Sequence, residues 1–310
     1  MHLKCLQSGI CVPRDVVMLL LQILDPEGVE ARKRRRLRRR QYLSRGPNNV
    51  WHIDSYDKLK PYGMAINGCI DGFSRNIIWL DVCKTNSDPK VIAGYYIGAV
   101  QRLGGCPQRI RADMGSENSY VEQMQIFLRR NHEDDLSGAN SFMYGKSTHN
   151  QRIEWFWGIL RKQLAQYWMD LFKSFQDEED TQFCGDLLDK SLIQHCFMEL
   201  IQNDLDNLQT TWNSHSISSK TNAIRQGNRP VMMYSLPELF DKEDCLCAVD
   251  VEEVYMCSEE TLPKNERMCD ETVKELCSIL MEEQGLDYPD NVDDAVHLYK
   301  CLRREIRLVL

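Results

Sequence analysis

The stretch Val50–Cys83, VWHIDSYDKLKPYGMAINGCIDGFSRNIIWLDVC, decides the fold. Val50–Tyr56 alternates around Trp51, Ile53 and Ser55, the period of a strand with one face buried. Pro61-Tyr62-Gly63 makes a turn, Met64–Asp71 forms a second run, Gly72–Asn76 makes another turn, and Ile77–Val82 completes a β-meander. Downstream, Asp88-Pro89 is a helix cap followed by proline at the first helical position, and Val91, Tyr95, Ala99 and Leu103 recur near helical spacing until Gly104-Gly105. A fourth strand, Gln108–Ala112, runs into Asp113. A helix over Tyr120–Arg130, a short fifth strand over Ala139–Met143 and a polar loop, Tyr144–Asn150, then lead to a long helix from about Gln151 to Phe172. The order β, β, β, α, β, α, β, α predicts an α/β protein, a mixed five-stranded sheet with helices packed on it.

Composition agrees with a folded protein: 310 residues, 43% hydrophobic and 27% charged, which excludes collagen-like, disordered and disulfide-stapled chains. The longest apolar run, Val16–Leu24, falls short of the roughly 20 residues that span a bilayer, so no membrane partner is expected. The start, MHLKCLQSGIC, lacks the layout of a secretory signal. None of the thirteen cysteines forms a C-x-x-C pair, and no two histidines stand in H-x-x-x-H spacing, so reduced, mostly buried thiols are expected rather than a zinc knuckle.

Charge is divided along the chain. Residues 1–169 hold 25 Lys and Arg against 16 Asp and Glu, a net of +9, whereas residues 170–310 hold 13 against 30, a net of −17. Eight of the nine residues from Arg32 to Arg40 are cationic. Arg34, Arg35, Arg36, Arg38, Arg39 and Arg40 therefore suit phosphate neutralisation or nuclear import, and a nuclear location is expected. The bland alternative is a solvated, self-repelling linker.

Three carboxylates fall where this topology brings elements together: Asp54 within the first strand, Asp113 at the end of the fourth, and Glu154 in the first turn of the helix after the polar loop. Clustered acids resist joint ionisation unless cations occupy the site, and oxygen ligands favour Mg²⁺ or Mn²⁺. Each has a plainer reading: Asp54 as a solvent-facing strand residue, Asp113 as a turn former before Gly115, and Glu154 as an acid favoured by the helix dipole. Asp71, in the turn-forming IDGFSR segment, and Asp81 are set aside. Trp155, Phe156 and Trp157 read as core, since three adjacent aromatics cannot share one face.

The segments WHIDSYD (51–57), CIDGFSR (69–75), RADMGSEN (111–118) and THNQRIEWFWGILRK (148–162) resemble, in this order, the catalytic core of retroviral-type integrases and DDE transposases. The resemblance covers roughly residues 48–170, and WNSHSISSKTNAIRQGNRPVMMYSLPELF (212–240) is similar to the segment that follows such cores in eukaryotic transposon-derived integrases. It implies a ribonuclease H-like fold and a polynucleotidyl transferase that cuts and joins DNA. In such enzymes an acid in the first strand, one in D-x-G-x-x-N and a helical Glu hold two divalent ions, which carries over to Asp54, Asp113 and Glu154. The 41-residue gap from Asp113 to Glu154 exceeds the family's usual spacing, and the acidic loop His132–Asp135 is expected to absorb the excess. Asn150-Gln151-Arg152 stands where the family commonly has Asn-Gly.

Lys146, His149, Asn150 and Gln151 are expected at the site entrance to position DNA, and Arg161 and Lys162 to contact phosphates. Four segments are expected: a partial helical and basic region over 1–47, which a truncated helix-turn-helix would fit; the integrase core over 48–175; a helical extension over 176–240; and an acidic helical region over 241–310, a solvated subdomain, a protein-interaction module or a lid over the basic half. The expected partners are DNA, further copies of the chain on DNA, and a protein for the acidic region. The alternative to an enzyme is a domesticated DNA-binding or interaction protein that keeps the fold.

Overall fold

The computed structural model of the chain describes residue 5 and residues 9–34, 44–145, 150–177, 181–217, 228–262 and 269–309, with backbone alone at 31–34 and 309. The chain divides into two compact units, Met1–Leu43 and Ser44–Leu310. In the first, α1 (Arg14–Leu24) and α2 (Pro26–Arg34) meet at Asp25, whose carboxylate accepts from the Gly28 amide at 2.9 Å. That cap and the proline at the first position of α2 set the break between the two helices.

The second unit is built on the meander. Strands β1 (Val50–Tyr56), β2 (Ala65–Asp71) and β3 (Ile77–Cys83) pair antiparallel in succession, with Asp54 opposite Gly68. The β2–β3 turn is organised by Asp71. Its carboxylate accepts from the amides of Asn48, Phe73 and Ser74 at 2.8, 3.1 and 2.7 Å and from the Ser74 hydroxyl at 2.7 Å. Asp71 is thus the turn builder that its motif suggested. Arg75 closes the turn in the left-handed region, φ 65°.

Helix α3 (Pro89–Leu103) starts at the Asp88 cap and ends at Gly104 in a left-handed conformation. Strands β4 (Gly105–Cys106) and β5 (Arg109–Ala112), helix α4 (Ser119–Arg129) and strand β6 (Phe142–Tyr144) follow. The fifth strand of the sheet is shorter than the sequence predicts, because residues 138–141 form a 3₁₀ turn. The excess length between Asp113 and Glu154 is folded in part into the loop after α4, where buried Arg129 pairs with Asp134 at 2.5 Å. Sheet order is β3-β2-β1-β5-β6, with β5 parallel to both of its neighbours. This is the mixed five-stranded, ribonuclease H-like sheet.

Helix α5 (Gln151–Leu160), a π-helical turn over 161–165 and α6 (Gln166–Asp177) occupy the place of the single long helix. Beyond them come α7 (Leu187–Ser214), α8 (Pro230–Ser235), β7 (Cys247–Ala248), α9 (Val251–Glu259), α10 (Glu271–Gln284) and α11 (Val292–Val309). Side-chain alternation sends Trp51, Ile53, Cys69 and Trp79 to one core with α3 and α4, and Tyr56, Ile66, Ile70 and Leu80 to another with α5, α6 and α7. The acidic region is no separate solvated subdomain, because Cys277, Met281, Leu298, Tyr299, Leu302 and Ile306 complete the second core while Val254 and Cys257 join the first. All thirteen cysteines are free thiols. Among the described residues, no helix is long and apolar enough to cross a membrane.

Candidate active site

Alternation along β1 puts His52, Asp54 and Tyr56 on one face, and α5 lies along that face. Four strand residues advance about 13 Å and eight helical residues about 12 Å, so successive turns of the helix meet successive strand positions. At the near end, Asn150 is buried: its Nδ2 donates to the Ile53 carbonyl at 2.8 Å and its Oδ1 lies 2.6 Å from His52 Nδ1. With the amide nitrogen turned to a carbonyl, the histidine Nδ1 carries the proton and donates. Burial lowers His52 to about 4, so the ring is neutral. At the far end the Tyr56 and Trp157 rings meet with centroids 5.6 Å apart.

Between these two anchors lies Asp54. Its Oδ2 accepts from Trp157 Nε1 at 2.9 Å. Gly68, opposite Asp54 in the sheet, gives the indole room: a Cβ there would come within 2.9 Å of the Trp157 ring. Burial pushes the Asp54 carboxyl up to about 7. The Trp157 and Ser55 hydrogen bonds oppose that rise, and the negative charges of Glu154 and Asp113 add to it. The three acids named from sequence are therefore electrostatic neighbours, from β1, the end of β5 and α5.

Asp113 is half-buried, and its Oδ1 accepts from Asn118 Nδ2 at 3.1 Å. The Asp-x-Gly-x-x-Asn motif is thus a local clamp: Asn118 turns back onto the acid, and Gly115 leaves space for the Glu117 carboxylate, 2.1 Å from where a Cβ would stand. Glu154 is exposed on the first turn of α5. Among the described residues, the one Cys/His/Asp/Glu group whose ligand atoms all lie within 4.8 Å is Cys184, Asp186 and Asp189. Asp54, Asp113 and Glu154 stand wider than that. The donor set fits a divalent cation: three carboxylates in a partly buried site whose mutual repulsion a bound ion relieves.

Other residues fall elsewhere. Asn150 is 2% exposed and its amide is used inside the fold, so it positions α5 rather than DNA. Gln151 is exposed beside it. Arg161 and Lys162 are exposed on the π turn, and Arg161 Nε donates to Gln166 Oε1 at 3.2 Å. Lys146, His149, Arg35, Arg36, Arg38, Arg39 and Arg40 lie outside the described residues, and Arg34 has its backbone alone described. Phe156 and Trp157 are core, as expected, but Trp155 is 51% exposed. Residues on a helix follow one another about 100° apart, so one member of an aromatic triplet has to face outward.

Sequence reasoning missed Trp157 and Asn118 as partners of the acids and His52 as the anchor of α5. Two of them carried a signal. Asn118 ends a motif that begins at Asp113, and Trp157 follows Glu154 by three residues, next to it on the helix surface.

The profile of the integrase core domain family matches residues 41–234, well over half of the chain. The chain belongs to that family, whose members are polynucleotidyl transferases acting on DNA and commonly using divalent metals. The match runs past α6 through α7 and α8, so these helices belong to the family's domain as much as the sheet does. No curated protein matches the chain.

Proposed function

We propose that this chain is a metal-dependent polynucleotidyl transferase that cleaves and joins DNA strands, with Asp54, Asp113 and Glu154 as the residues that hold two Mg²⁺ or Mn²⁺ ions. The observation that carries this is the setting of Asp54: a half-buried strand carboxyl that accepts from Trp157 Nε1 at 2.9 Å and is raised to about 7, with the charges of Glu154 and Asp113 among the causes. Bound divalent ions supply an activated water or 3′-hydroxyl nucleophile and charge stabilisation on the leaving oxygen. The protein's own residues set the geometry. Trp157 orients Asp54, Asn118 orients Asp113, and the His52–Asn150 bond fixes where α5 presents Glu154. Arg161 and Lys162 suit DNA phosphates, and the basic run 32–40 serves nuclear import and non-specific DNA affinity. Strand joining at paired DNA ends calls for more than one copy on DNA.

The test is nicking and joining of supercoiled plasmid with Mn²⁺ or Mg²⁺, run beside Asp54→Asn, Asp113→Asn and Glu154→Gln. Each variant should remain folded and lose about a thousandfold in rate, as expected for removing a metal ligand worth several kcal/mol to the transition state. The competing outcome is a DNA-binding protein that keeps the fold without catalysis. It predicts DNA binding indifferent to EDTA and to all three substitutions, with no nicking by the wild type.

A further inference from the structure

Two cysteines face each other across the small second sheet. Strands β4 and β7 pair antiparallel over two residues, with Gly105 opposite Ala248 and Cys106 opposite Cys247. Among the described residues this is the one place where strand pairing sets two cysteines in register: Cys69 stands opposite Ile53 and Trp79, and Cys83 opposite Ala65. Strand β7 lies beyond residue 234, where the family match ends. Its flanks hold it to the core, since the Cys245 amide donates to the Pro47 carbonyl at 3.0 Å and His132 Nε2 lies 3.0 Å from the Ala248 carbonyl oxygen. Cys106 is fully buried and Cys247 is 9% exposed, both within the core shared with α3 and α4.

Directly opposed residues of an antiparallel pair have Cα atoms about 4.5 or about 5.5 Å apart and send their side chains to the same face. A disulfide spans Cα separations of about 4.4 to 6.8 Å, so either kind of pair brings the two sulfurs within reach of a bond. Burial pushes the Cys106 thiol up to about 12, with the neighbouring Cys247 the next cause, and burial raises Cys247 as well. Both are therefore protonated at neutral pH and unreactive while the strands stay paired. A ladder of two residues a side is short enough to open locally without unfolding the core, and Cys247 is the more exposed of the two thiols.

We propose that Cys106 and Cys247 form a covalent modification site, a thiol pair that a small-molecule disulfide oxidises to a cross-strand disulfide. When β7 lifts, the Cys247 thiol loses its proton and attacks one sulfur of a disulfide such as oxidised glutathione, breaking that S–S bond and releasing one small thiol. Cys106 then loses its proton, attacks the Cys247 sulfur of the mixed disulfide and expels the second small thiol. Two protein thiols are oxidised to one disulfide, the small disulfide is reduced to two thiols, and the two protons end on those thiols. The bond closes a loop of roughly 140 residues and fastens the segment that follows the family domain to the strand that follows α3. The site makes no use of Asp54, Asp113 or Glu154 and stands whether or not the chain transfers DNA strands.

The test uses the full wild-type chain, so no variant has to fold. Native protein is incubated with oxidised glutathione at pH 8, quenched by acid, alkylated and mapped by peptide mass spectrometry. The exposed thiols Cys11 and Cys184 should carry glutathione, whereas the peptides of Cys106 and Cys247 should be recovered joined to each other and should separate with dithiothreitol. Hydrogen exchange over residues 247–259 should slow about tenfold in the oxidised protein, because the bond prevents the local opening. The melting temperature should rise by about 5 °C, as for a disulfide that closes a long loop, and fall back on reduction. The proposal is overturned if Cys106 and Cys247 stay free thiols after Cys11 and Cys184 are fully modified, or if each carries glutathione without joining the other. It is equally overturned if Cys247 is joined to Cys245 or Cys257 as often as to Cys106, which would make the product a random exchange among near neighbours rather than a bond set by strand register.

Discussion

Two acidic clusters in this molecule look alike in composition and differ in what surrounds them. Asp186 and Asp189, at the start of α7 with Cys184, are met by Arg303 and Arg307 from α11; Arg303 Nε lies 2.8 Å from Asp189 Oδ1, and Arg307 bonds both acids. Burial works to raise Asp189, but the Arg303 hydrogen bond, the Cys184 contacts and the Arg303 charge outweigh it, so the pKa falls below the usual carboxylate range. Around Asp54 the same burial is opposed by the Trp157 and Ser55 hydrogen bonds but reinforced by the charges of Glu154 and Asp113, and the pKa rises to about 7. The compact cluster is a finished structural joint that ties the C-terminal helix to the core. The wider one has its strand carboxyl raised instead, the kind of perturbation on which the proposed function rests.

The sharpest way to break the contrast is to remove the cation from the finished joint. Arg303→Met should cost about 3 kcal/mol in urea unfolding, because buried Asp189 loses its nearer charge partner and keeps only Arg307 at 3.3 Å. Asp54→Asn should cost nothing or stabilise, because it removes a repelled charge; a loss comparable to that of Arg303→Met would make the two clusters the same kind of object.

The next effect is catalytic. Trp157→Phe keeps an aromatic ring in the core but deletes the donor to Asp54. Metal-dependent nicking should fall by about 10- to 100-fold, with the metal concentration for half-maximal rate raised, the usual cost of losing a residue that orients a ligand. An unchanged metal requirement would reduce Trp157 to packing.

Opposite pKa directions give opposite pH responses. In EDTA, Asp54 has a folded pKa near 7 against an unfolded value near 3.8, so the fold binds the extra proton and stability declines as pH rises between those values. The Asp54→Asn variant should lack that decline, a difference of at least about 1 kcal/mol between pH 4 and pH 8. Asp189, with its pKa lowered, contributes stability that is present above about pH 4 and lost on acidification below it. Unfolding free energies of wild type, Asp54→Asn and Asp189→Asn across pH 3–8 check both signs. The smallest effect belongs to the surface pair Arg130–Glu253, 2.5 Å apart, where Glu253→Gln should change stability by less than about 1 kcal/mol.

Much of the core was legible because it depends on local periodicity. The meander, the α3 cap at Asp88 and the three acids follow from alternation, turn residues and motifs a few residues long. Helix α7 was not legible as a single helix: it buries Asp189, Ser191 and Gln194 alongside Leu192, Ile193 and Phe197, so no clean apolar stripe marks it. The acidic region looked solvated because its charges dominate the count, while one side of each of its helices carries the cysteines, leucines and tyrosine that pack into the unit. Asn150 looked like a loop residue available to DNA. Its burial is decided by His52 and Ile53, almost a hundred positions away.

By itself, then, the amino-acid sequence determined the strand order of the meander, the residue types of the acid site and the family, since these rest on patterns that neighbouring residues carry. The tertiary structure alone decided which acids Arg303 and Arg307 meet, which tryptophan of the triplet holds Asp54 and which faces solvent beside Arg75. Those outcomes depend on what distant segments place against each side chain, and burial and charge act through space rather than along the chain.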